Sequence, residues 1–84
     1  MPYSVYIKQS AEKELDRLPS KVQDIIIKKL TLLGENPTPK GVKKLQAKEG
    51  YRIRVGDYRI LYIIDESKKK VEIISIAHRK DIYR

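Results

Sequence analysis

Three arginines in the stretch YRIRVGDYRILY, residues 51–62, are spaced to act as a group. Gly56-Asp57 separates two alternating runs and reads as a tight two-residue hairpin loop of the primed type. That loop sets Val55 against Tyr58, Arg54 directly across from Arg59, and Arg52 across from Leu61. Side chains alternate along a strand, so Arg52, Arg54 and Arg59 share one face of the hairpin. Like charges placed directly opposite are destabilising by about 0.2–1 kcal/mol. The whole chain has the same bias: Lys plus Arg is 19 and Asp plus Glu is 11, a net charge of +8 in 84 residues. A field of that sign suits nucleic acid or another polyanion, although a basic surface also simply keeps a protein soluble.

Composition removes several other chemistries. There is no cysteine, hence no disulfide framework and no thiolate metal site. His78 is the only histidine, and no carboxylates stand beside it at metal-ligand spacing. No metal and no cofactor is expected. A chain of this length makes one domain, residues 1–84, burying about 60–65% of its unfolded surface. The core must come from Ile, Leu, Val and Tyr, since Phe and Trp are absent. The opening MPYSVYIKQSAEK does not read as a signal peptide, and the apolar run ILYII at 60–64 is too short to span a bilayer. The expected location is the cytoplasm, with no membrane partner.

The elements that must carry the arginines follow from periodicity. Residues 3–7 alternate as a first strand. Ser10 reads as an N-cap with Glu12 and Glu14 in the first turn, and Ala11, Leu15 and Leu18 form one stripe of a short helix that Pro19 stops. Ser20 with Gln23 makes a capping-box pattern for a second helix, whose apolar face is Val22, Ile25, Ile26, Leu30 and Leu33. Gly34 and Pro37 mark its end. Residues 36–50 read as a loop anchored by Leu45, and strands follow at 51–55, 58–64 and 71–77. The order βααβββ predicts an α+β fold in which two N-terminal helices pack on one face of a small antiparallel sheet. Tyr51, Ile53, Val55, Tyr58, Ile60, Tyr62 and Ile64 point toward the helices. The arginines then lie on the face the helices leave open, with Leu61 and Ile63 at its far end.

Two segments, KKLQAKEGYRIRVGDYRILY and VEIISIAHRKDIYR, together with the order of elements before them, resemble the RelE/ParE toxins of bacterial and archaeal toxin–antitoxin modules. The pattern is closest to the RelE branch, whose members cut messenger RNA on the ribosome. That resemblance implies a RelE-like fold and a metal-independent endoribonuclease. In this chemistry the 2′-hydroxyl of the message attacks the neighbouring phosphorus, leaving a 2′,3′-cyclic phosphate and a 5′-hydroxyl. Growing charge on the phosphoryl oxygens must be met by preorganised donors. Arginine serves because its planar fork matches two phosphate oxygens and stays protonated.

By position, the resemblance assigns Arg59 and Arg79 to the scissile phosphate. Arg52 and Arg54 stand where RelE enzymes often carry lysine, and Tyr83 matches a C-terminal tyrosine that orients or stacks on the substrate. The departure at Arg52 and Arg54 matters, because lysine can serve as a general base and arginine essentially cannot. His78 is the remaining candidate base, on the arginine face if the alternation from Val71 persists. Its plainer reading is a strand-end histidine bonded to a neighbouring carbonyl. Lys43, Lys44 and Lys48 read as general RNA-facing charge, and lysines 68–70 as an exposed turn. Tyr83 also reads as a terminal aromatic packing on the sheet, and Arg52 as a solvated strand residue.

Two other functions compete. The ParE branch poisons DNA gyrase, and generally lacks the full basic set and the terminal tyrosine. A module that grips RNA without cutting it is the other. The resemblance also implies an antitoxin partner, acidic to match +8 and bringing apolar side chains. It would act over the arginine face, by displacing the Tyr83 tail, or by bulk that blocks entry to the ribosome.

Overall fold

The arginine hairpin forms in the register that its alternation requires. In the computed structural model, which describes residues 2–45, 50–78 and 80, strands β3 (Gly50–Val55) and β4 (Tyr58–Asp65) pair antiparallel. Val55 lies opposite Tyr58, Arg54 opposite Arg59 and Arg52 opposite Leu61. Gly56 takes φ +60 at the first position of the loop, the backbone region glycine enters without strain.

Before the hairpin come β1 (Ser4–Ile7), α1 (Gln9–Asp16), α2 (Ser20–Glu35) and a two-residue strand β2 (Lys43–Lys44); after it comes β5 (Lys70–His78). The sheet order is β1-β5-β4-β3-β2, with the helices over one face. The α+β class and the placement of both helices are as expected. The sheet, however, is mixed: β1 runs parallel to β5, Ser4 beside Lys70 and Ile7 beside Ile73. Local alternation identifies a four-residue strand but carries no information about its distant partner. The strand β2 is also new. The sequence reads as loop over residues 36–50, because two strand residues are too few to show a period.

Burial follows the hairpin pattern. Ile53, Val55, Ile60 and Tyr62 are buried with Ala11, Leu15, Ile26, Leu30, Leu33, Val71, Ile73 and Ile76, while Tyr51, Tyr58 and Ile64 pack partly buried at the margin. On α2, Ile26, Leu30 and Leu33 make a narrow stripe, and Ile25 stays 57% exposed. The apolar face expected there was too wide. Gly34 sits inside the last turn rather than beyond it, and a Cβ there would lie 3.0 Å from Val5 and 3.1 Å from the Tyr3 carbonyl. The missing side chain lets α2 rest directly on β1.

Both helix starts differ from the expected caps. Glu12 N–H donates to the Lys8 carbonyl, so α1 begins at Gln9 and Ser10 is already inside it. Lys8 N–H is held by the Ile73 carbonyl, which fixes where the chain leaves the sheet. Ser20 likewise lies within α2, whose N-cap is Pro19. Gln23 does not close a capping box. Its Nε2 reaches back to the carbonyls of Leu18 (2.9 Å) and Asp16 (3.3 Å), satisfying acceptors at the end of α1. Among the described residues no helix is long and apolar enough to cross a membrane.

Candidate nucleic-acid interface

On the open face, the β3–β4 hairpin holds Arg54 and Arg59 side by side across strands. Strand β2 extends the sheet, placing Lys43 opposite Arg52. Together Gly41, Lys43, Arg52, Arg54 and Arg59 line one groove of about 250 Å³. Four cations thus converge on a concavity, where field lines are focused and an anion is favoured. Arg54 is exposed, and Arg52 and Arg59 are half-buried. The Nε–H of Arg54 donates to the Gly56 carbonyl at 3.1 Å, which curls the side chain over the hairpin tip and limits the orientations of its remaining N–H groups. Among the described residues, no carboxylate lies within 4.0 Å of the Arg52 or Arg54 guanidinium. Nor do the described side chains offer a group of three or more His, Cys, Asp or Glu able to hold a metal ion.

His78 does not join this groove. Leu61 pairs with Ser75 but Tyr62 pairs with Ile73, so Ile74 is an extra residue, a β-bulge in β5. The bulge reverses the alternation that starts at Val71. Ala77 therefore faces Arg59 across the strands, and His78 lies opposite Tyr58 on the helix side. Its ring meets the edge of Tyr58 at 5.1 Å, nearly perpendicular at 88°. There it lines a separate pocket of about 220 Å³ with Glu14, Arg17 and Tyr58. Its Nδ1 accepts the N–H of Lys80 at 3.2 Å. The expectation that His78 shares the arginine face is overturned, and with it the case for His78 as the base. The plainer reading also needs a correction, since the bond runs to a backbone N–H rather than a carbonyl.

Lys44 separates from Lys43. It pairs with Tyr51, so it projects to the other side of the edge strand, away from the groove. Arg79, Tyr83 and Lys48 lie outside the described residues. Two contributors were missed in the sequence: Gly41, with φ +95 in the turn before β2, and the pairing of Lys43 with β3. The Pro-Gly-Lys composition announces a turn there but not that the turn would close against arginines.

The sequence model for the ParE toxin of the parDE type II toxin–antitoxin system matches residues 5–83. The chain belongs to the RelE/ParE toxin family. Among curated relatives, it is 39% identical to the toxin RelE of Mycobacterium tuberculosis, over 99% of this chain and 88% of that protein. Among solved structures, the archaeal RelE–RelB complex of Pyrococcus horikoshii contains a chain that superposes with a TM-score of 0.85 at 29% identity, covering 94% of this chain and 97% of that one. A chain of the toxin–antitoxin complex RelBE2 of Mycobacterium tuberculosis superposes with a TM-score of 0.84 at 28% identity, covering 94% and 93%. A RelE/ParE toxin of a type II system is thus the setting in which the arginine groove must be read.

Proposed function

We propose that this toxin is a ribosome-dependent, metal-independent endoribonuclease that cuts messenger RNA by attack of a 2′-hydroxyl on the adjacent phosphorus. One observation carries the reading: Arg54 and Arg59 are cross-strand neighbours in a groove that also holds Arg52 and Lys43. A phosphodiester seated there relieves the repulsion among the guanidiniums and receives donors where its charge grows. Arg59 acts on the scissile phosphate together with Arg79, and Arg52, Arg54 and Lys43 hold the flanking backbone. Tyr83 stacks on or orients the substrate. A basic groove grips RNA, but lining up a 2′-hydroxyl with its leaving group needs a rigid template. The ribosome supplies that template, which is why free RNA should be cut poorly.

The test is to incubate the toxin with programmed ribosomes and map RNA ends. Cleavage in the A site leaving 2′,3′-cyclic phosphate and 5′-hydroxyl termini is expected, with Arg59→Ala losing rate far more than affinity. Equal cutting of naked RNA, or 5′-phosphate ends, defeats the proposal. Binding without cutting would make it an RNA-gripping module instead. The ParE description of the matching family gives a second reading, inhibition of DNA gyrase, which a supercoiling assay decides.

The partner follows from the same surface. The two solved structures named above are of toxin–antitoxin complexes, and this chain carries +8. We propose an acidic antitoxin that also buries apolar side chains, because charge alone gives a grip that salt screens. The complex should persist at about 0.5 M salt, where the Debye length has shrunk to a few ångströms. Dissociation there would show a purely electrostatic partner.

A further inference from the structure

Tyr62 belongs to β4 and is on the helix side of the sheet, only 1% exposed, yet its hydroxyl has a specific task. It donates to the Pro37 carbonyl at 2.6 Å, a bond linking residues far apart in the chain. The ring is held in turn by Tyr51, stacked at 5.7 Å with 22° between planes. Pro37 is itself buried and follows directly on Asn36, the residue that closes α2. From Pro37 the chain runs through a turn, with Val42 N–H donating to the Pro39 carbonyl at 3.2 Å, and arrives at Lys43. There it is fixed a second time, by pairing with β3. The segment between these two attachments supplies Gly41 and Lys43, one wall of the arginine groove.

We infer that Tyr62 is a positioning residue for the anion groove on the opposite face of the sheet: its buried hydroxyl fixes the Pro37 end of the loop that sets Lys43 beside Arg52, Arg54 and Arg59. The inference rests on the groove being the RNA-binding surface. Without the hydroxyl, the Pro37 carbonyl is left buried without this donor and the loop loses its inner attachment. Lys43 then remains on the chain but no longer stands at a fixed place over the backbone of a bound strand. The Tyr51 stack and the volume of the ring are untouched by Tyr62→Phe, so the core is preserved.

The experiment measures binding of the full chain to a single-stranded oligonucleotide of 2′-O-methyl riboses, which lacks the attacking hydroxyl, across a salt series. Each phosphate contact contributes about 0.7 to the slope of log affinity against log salt for a single strand. Lys43→Ala should lower that slope by about 0.7, Tyr62→Phe should lower it similarly, and the double variant should lower it no further than Lys43→Ala alone. A merely structural tyrosine would reduce the thermal midpoint and leave the slope as in the unaltered protein. That result, or a full additive loss in the double variant, overturns the inference. If Lys43→Ala and Arg54→Ala both leave binding unchanged, the groove reading itself fails. The loop attachment is then decided by hydrogen exchange at Val42 and Lys43: faster exchange in Tyr62→Phe upholds it, and unchanged exchange overturns it.

Discussion

The two faces of the β3–β4 hairpin are made by alternate residues of the same two strands and have opposite character. On one, Ile53, Val55, Ile60 and Tyr62 are buried under the helices; on the other, Arg52, Arg54 and Arg59 line the basic groove. Nothing separates them but the two-residue period of a strand. The buried face sets the register, because a slip by one residue would put three guanidiniums under α1 and α2 without partners, at great cost. The open face therefore need not be favourable by itself. Its internal repulsion is tolerated because the other face holds the strands in place.

Exchanging the character of one residue on the covered face should have the largest effect. Ile60 is 0% exposed, and Ile60→Arg should abolish folding, read as loss of the cooperative transition by circular dichroism. Its chain neighbour on the open face gives the converse result. Arg59→Ala should keep the fold while slowing message cleavage about 100–1000-fold on programmed ribosomes. A collapse of stability in that variant would mean that the two faces are not separable.

Tyr62 gives the covered face a pH dependence. Burial raises its hydroxyl well above the ordinary tyrosine value of 10.0, with the neighbouring Tyr51 adding to the effect. The folded state favours the protonated form, so this contribution is complete below about pH 10 and is lost as pH rises above it. Denaturant melts between pH 9 and 11 should show a decline that Tyr62→Phe lessens. Smaller still is the effect of relieving repulsion on the open face. Arg54→Ala should change stability by no more than about 1 kcal/mol, since the repulsion from Arg59 and the bond to the Gly56 carbonyl are lost together. The smallest effect sharpens the contrast at the sheet edge. Lys44→Ala should leave the salt slope of RNA binding unchanged, whereas Lys43→Ala lowers it by about 0.7.

What the sequence showed and what it hid divide along the same physical line. Hairpin register, the turn at Gly56-Asp57 and the arginine face are local properties, fixed by alternation and one loop. The side of His78 was hidden because Ile74 inserts a residue in a run, VEIISIAH, where either phase leaves apolar residues facing the core. The edge strand at Lys43–Lys44 depends on a loop closing onto β3, and the parallel β1 depends on a strand most of the chain away. Gln23 was identified as a terminal hydrogen-bonding residue, but its partners belong to the preceding helix. For the groove, the arginines were legible and their fourth member, Lys43, was not distinguished from Lys44.

The pairing of β1 with β5 also orders events in time. Ser4 has its place only beside Lys70, and Ile7 only beside Ile73. Contacts of such sequence separation carry a large loop-closure entropy and are slow to form. During synthesis β1 and α1 are both made well before β5, the strand they dock against. The β3–β4 hairpin precedes β5 as well, so Arg59 is translated before Ala77 can flank it. A ribosome making this toxin therefore completes most of the chain before the sheet can close.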